Sequence, residues 1–197
     1  MSPRSKKQFE AIRESSSKKI MDASLELFGT IGYKSTTIAQ IAESAGVSKG
    51  LIYNYFDSKE ALLKAMILQL SKEGEGMMEQ SFSEDPRETL ENMIRMAFKW
   101  LRDNEKQNRL MVSLVIQVDQ FDFVHNLAKT KMNEYLTMLE ELLKKIKFPD
   151  YRTEARILTT LFDGIGIQYL ILKQDYPLDE IEKMLIERYC SSTKKGK

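Results

Sequence analysis

The chain has 197 residues, 42% hydrophobic and 30% charged, enough for one large domain or two small ones and apolar enough to fold. Nine glycines and four prolines exclude collagen-like and low-complexity classes, while one cysteine and one histidine exclude an internal disulfide framework and leave no soft-ligand cluster for zinc. The net charge of +1 hides an asymmetry, because residues 1–64 hold ten Lys and Arg against seven Asp and Glu, and six of the basic residues fall within the first 20.

In chain order, Ile20, Ala23, Leu27 and Ile31 follow helical spacing, and Gly32 stops that helix. Thr37 and Gln40 have the spacing of a capping box, followed by Ile38, Ile41, Ala42 and Ala45 on one face and by a stop at Gly46. Ser48 caps a short third helix to about Phe56. Asp57 and Glu60 are read as a second box opening a fourth helix with Leu63, Met66, Ile67 and Leu70 inward. Gly74 and Gly76 predict a bend or an end there, since an interior glycine costs roughly 1 kcal/mol relative to alanine. Asp85, Pro86 and Glu88 start a helix reaching about Leu101, and Leu110, Leu114 and Val118 mark another. Helices from about Phe121 to Lys147 and Arg152 to Lys173, and a last one opened by Pro177, complete an all-α reading.

The second and third helices, joined through Gly46-Val47-Ser48, have the length and turn chemistry of a helix-turn-helix. Ile52 and Phe56 face inward with Val47, which leaves Lys49, Gly50, Leu51, Tyr53 and Asn54 toward a DNA groove. The stretch Ile20 to Leu63 resembles the DNA-binding domain of the TetR/AcrR family of bacterial transcription regulators. The likeness is carried by Thr36-Thr37-Ile38-Ala39-Gln40-Ile41-Ala42, Ala45-Gly46-Val47-Ser48-Lys49-Gly50 and Leu51-Ile52-Tyr53-Asn54-Tyr55-Phe56 with Lys59-Glu60.

The resemblance implies a three-helix helix-turn-helix domain at 1–64 with a basic N-terminal arm, and a helical ligand-binding and dimerisation domain at 65–197. It implies a homodimer on a palindromic operator, usually a repressor released by a small molecule. Carried over, Thr36, Thr37 and Ser48 belong to the DNA-binding surface. Lys49, Gly50 and Leu51 approach base edges beside Asn54, Tyr53 and Tyr55 give hydroxyls to phosphates, and Lys59 sits against the DNA backbone. Leu51 departs from the small or hydroxyl residue frequent there. The arm before Ser17 is longer than the family minimum, and reaches a minor groove or moves freely.

From Pro86 onward methionines and aromatics recur at helical spacing. Each alone reads as core; together they can border an adaptable apolar pocket among Met96, Trp100, Met111, Val115, Phe121, Phe162 and Gln168. Asp119, Asp122 and Asp163 nearby admit a cationic ligand or serve as caps. The segment 158–172 is apolar almost all round, so its outer side needs a cover; a second subunit meeting Phe162, Ile165, Tyr169 and Leu172, with Ile181 and Leu185 of the last helix, supplies it. Neither a Ser-His-Asp or Cys-His set nor a dinucleotide fingerprint is present, so the expectation is a cytoplasmic DNA-binding regulator without cofactor, metal or membrane attachment, not an enzyme. A helical scaffold protein is the alternative.

Overall fold

A computed structural model describes residues 6–116 and 121–191. Among them lie nine α-helices: α1 (Lys6–Thr30), α2 (Ile38–Ala45), α3 (Lys49–Tyr53), α4 (Lys59–Glu79), α5 (Pro86–Asp103), α6 (Glu105–Ile116), α7 (Asp122–Lys145), α8 (Tyr151–Leu172) and α9 (Leu178–Cys190). The all-helical fold expected from apolar spacing is the one observed. Val118 and Asp119 lie outside the described residues.

Most boundaries follow local chemistry. After α1 the chain turns at Gly32, whose φ of +85° is open to glycine and strained for other residues. Asp85 accepts from the Arg87 amide at 2.8 Å with Pro86 in the first turn of α5. Three expectations are corrected. The arm before Ser17, expected to reach a groove or move freely, is helical from Lys6 and continuous with the rest of α1. The cap of α4 is Ser58, not Asp57, because the Ser58 Oγ accepts from the Ala61 amide at 3.0 Å. Lastly, α4 runs unbroken through Gly74 and Gly76. Packing against α7 compensates for the glycines: the Tyr135 hydroxyl approaches Gly74, and Lys131 binds Glu75 and Glu134, each at 2.7 Å. Those carboxylates raise the Lys131 pKa, chiefly through the bond to Glu134.

Two apolar clusters hold the chain together. The first buries Ile20, Phe28, Ile41, Ile52, Leu62 and Leu63, and reaches past residue 64 to Leu110, Leu114, Phe121 and Val124, so α6 and the start of α7 are built into the small helical head. The second gathers Leu90, Ile94, Phe98, Leu143, Leu158 and Tyr189 from α5, α7, α8 and α9. Here α9 is fastened to α5 by Arg102, which donates to Asp179 and Glu182 at 2.5 Å each. It is fastened to α8 by the Tyr189 hydroxyl, which donates to Glu154 at 2.9 Å.

Between the clusters, α6 touches both sides through its first turn. Lys106 pairs with Glu26 of α1, and the buried Asn108 donates from Nδ2 to the Gly166 carbonyl of α8 at 3.0 Å. A side chain at Gly166 would press on Asn108, with a Cβ only 3.3 Å from Oδ1, so glycine permits this close approach. By length and composition α8 and the turn after it are apolar enough to cross a membrane, and little of that stretch is buried within the chain.

Candidate nucleic-acid interface

The geometry begins at Thr37, in extended backbone just before α2. Its Oγ1 accepts from the Gln40 amide at 3.2 Å, and Gln40 Oε1 accepts from the Thr37 amide at 2.8 Å and hydroxyl at 2.9 Å, completing the box. At the other end Gly46 takes the left-handed conformation, φ +65°, and the Val47 amide donates to the Ala42 carbonyl at 2.9 Å. Ser48 then caps α3, its Oγ accepting from the Leu51 amide at 3.1 Å. Two caps and one glycine thus set the sharp angle between α2 and α3.

The orientation of α3 follows from what it buries. Ile52 is fully enclosed and Phe56 nearly so, with Val47 packed beside them. Lys49, Gly50 and Asn54 are exposed, Tyr53 is 54% exposed, and Leu51 is half-buried. A short helix pinned by one apolar side therefore presents an ammonium, an amide and a phenol outward. These groups can donate to base edges or phosphate oxygens.

Three members of the expected surface are placed differently. Thr36 is fully buried, and its hydroxyl donates to the Gly32 carbonyl at 2.8 Å, so it braces the loop before α2. Lys59 turns inward: its Nζ donates to the Tyr33 and Thr36 carbonyls, both at 2.7 Å, and lies 4.3 Å from the Tyr33 ring centroid. Burial lowers its pKa. Here an ammonium is committed to backbone oxygens, tying the start of α4 to the loop after α1. Tyr55 is half-buried, its ring packed on the first cluster, with the Arg13 guanidinium 5.5 Å from its centroid.

The expected pocket residues are not brought together. Phe121 belongs to the first cluster, edge-on to Tyr33 at 5.0 Å, whereas Trp100 and Phe162 pack on the second. Val115 is 64% exposed, Gln168 is exposed, and Met96 and Met111 are partly buried. The described hollows lie elsewhere. One is on α7 around Thr130, Thr137 and Met138; another, of about 750 Å³, lies between the α5–α6 junction and the α8–α9 turn around Arg102, Tyr169, Lys173 and Tyr176.

The expected interface residues also divide. Ile165, 5% exposed, and Leu185, 7% exposed, are core, because α8 and α9 turn those faces to α5 and α7. Phe162, Tyr169 and Ile181 pack on the same cluster from its edge, while Leu172 is exposed. The apolar surface left open is Ile157, Leu161, Ile167 and Ile171 of α8 with Met184 of α9. Helical spacing carries the signal for it: Ile157, Leu161, Gly164, Gln168 and Ile171 recur at fours and threes.

A helix-turn-helix head on a larger helical body defines a DNA-binding transcriptional regulator. Residues 20–66 match the sequence profile described as bacterial regulatory proteins, tetR family. The relatives it matches are transcriptional regulators rather than enzymes. Among its relatives is the uncharacterized HTH-type transcriptional regulator YuxN of Bacillus subtilis (strain 168), 48% identical over 50 residues, 25% of this chain and 17% of that one. The HTH-type transcriptional regulator BetI of Stenotrophomonas maltophilia (strain R551-3) is 24% identical over 167 residues, 83% of this chain and 84% of that one. Of solved structures, a putative transcriptional regulator from Saccharomonospora viridis in complex with choline superposes with a TM-score of 0.77 at 19% identity, covering 87% of this chain and 94% of that one.

Proposed function

We propose that the protein binds a palindromic operator as a homodimer, acting as a repressor that a small apolar or cationic molecule releases. The observation that carries the operator reading is the outward face of α3: Lys49, Gly50, Tyr53 and Asn54 stand exposed on a helix held by the Ser48 cap and the buried Ile52. Lys49 and Asn54, with Leu51 at the edge, are the base-reading groups, and Thr37, Ser48 and Tyr53 serve phosphates. Tyr55 contributes only its hydroxyl end.

The dimer reading rests on the open apolar face of α8. Ile171 and Met184, 72% and 67% exposed, are large side chains whose burial a second copy would supply, in an arrangement of two helices from each protomer. Leu172 lies on its border. A cationic effector is favoured by the choline bound in the similar Saccharomonospora structure. A molecule of either kind releases DNA only by preferring the non-binding arrangement of the two heads. A bacterial regulator of this kind works in the cytoplasm.

Selection of duplexes from a random pool tests this reading. The recovered sites should be palindromes with half-sites about 34–36 Å apart or a multiple of that. Lys49→Ala should relax base preference at one position per half-site, by about 1–3 kcal/mol. No enrichment of any duplex would leave the helical scaffold reading standing.

A further inference from the structure

We infer that the first four turns of α1 are a second DNA-binding surface, a basic helix that lies along the phosphate backbone flanking each half-site; this rests on the operator reading above. Residues 6–19 hold five basic residues, Lys6, Lys7, Arg13, Lys18 and Lys19, against Glu10 and Glu14. They form continuous helix with the rest of α1, about 21 Å long at 1.5 Å per residue. Among the described side chains of α1 the first that is buried is Ile20, while Arg13, Lys18 and Lys19 are exposed.

The extension is held beside the DNA-reading unit. Arg13 stacks on Tyr55, two residues beyond the end of α3, so the arm leaves the head next to the recognition helix. Helical backbone decides what the arm can touch. A helix is about 10–12 Å across with its side chains and the minor groove about 6 Å wide, so the arm cannot enter that groove as an extended arm would. Its positive charge instead suits phosphate oxygens, with Arg13, Lys18 and Lys19 exposed along it. Contacts of that kind add affinity and salt dependence without adding sequence preference.

The test compares the parent with the fourfold variant Lys6→Gln, Lys7→Gln, Lys18→Gln, Lys19→Gln, since glutamine keeps helix propensity and removes charge. A control variant, Lys144→Gln, Lys145→Gln, Lys147→Gln, Lys183→Gln, loses the same charge at exposed positions of the body. Binding to a labelled random duplex and to a selected operator is measured by fluorescence anisotropy between about 50 and about 200 mM salt. Circular dichroism confirms that helix content is kept.

The arm variant should bind both duplexes about tenfold or more weakly, with an unchanged ratio between them and a salt slope shallower by about 0.9 for each phosphate the arm no longer neutralises. The control should keep the parent slope. An arm variant with the parent slope, or a control whose slope falls as far, overturns the inference while leaving the operator reading intact. A parent that binds neither duplex overturns both.

Discussion

Replacing Lys59 with methionine separates two roles that one ammonium cannot fill together. In the structure its Nζ donates to the Tyr33 and Thr36 carbonyls at 2.7 Å and sits over the Tyr33 ring. Methionine keeps the length and apolar packing of the stem and removes only the donor. Hydrogen bonds to a charged group contribute about 1.5–3 kcal/mol each, and the cation–ring contact about 0.5–1 kcal/mol at a partly exposed site. Water can reach the carbonyl of the half-buried Tyr33 and recover part of this, so the expected loss is about 2–3 kcal/mol. With a urea slope of about 1–3 kcal/mol per molar, the unfolding midpoint should fall by about 1 M. Far-ultraviolet circular dichroism at fixed protein concentration measures it, concentration being held because dimerisation adds to apparent stability. An unmoved midpoint, joined to a uniform fall in affinity for every duplex and a shallower salt slope, would put the ammonium on a phosphate and refute the assignment.

Gly46→Ala should destabilise the fold by about 1 kcal/mol, because a φ of +65° places a Cβ against its own backbone; a drop in thermal midpoint checks it. Ile171→Glu or Met184→Glu should convert the dimer to folded monomers by sedimentation, whereas Ile165→Glu should unfold the chain, since only Ile165 lies in the core. Asp163 has its pKa raised above the usual carboxylate value by desolvation, so the folded state prefers the neutral acid. Its contribution is most unfavourable at neutral pH and is relieved as pH falls toward the raised pKa, so Asp163→Asn should raise the thermal midpoint at about pH 7 and flatten its rise toward about pH 5.

What the sequence made legible divides by the range of the forces involved. The caps at Thr37, Ser48 and Asp85, the turn at Gly46 and the inward positions Ile52 and Phe56 depend on residues within one or two turns, and spacing reads them directly. Misplacements arise where a distant element decides. The glycines of α4 alone argue for a break, yet Tyr135 and Lys131 of α7 pack there and the helix continues. Lys59 sits within the recognised motif, but its role is fixed by the Tyr33 and Thr36 carbonyls of the loop after α1, 26 and 23 residues before it.

The same reasoning explains why the sequence shows that α8 needs an outer cover but not which of its residues meet that cover. Apolar residues all round a helix show that both sides are covered, but not which side faces inward. That choice falls to long-range contacts. Asn108 and Leu101 press on Gly166, and Phe98 packs at 6.0 Å on Phe162, turning Ile165 and Gly166 to the body and leaving Ile157, Leu161 and Ile171 outward. The Asn108 bond is therefore decisive for the orientation of α8: a buried amide must find a partner, and the Gly166 carbonyl meets it only when that side of the helix is against α6. Since Lys106, in the same turn of α6, holds Glu26 of α1, the outward face of α8 and the attitude of the helix-turn-helix head are set from one place.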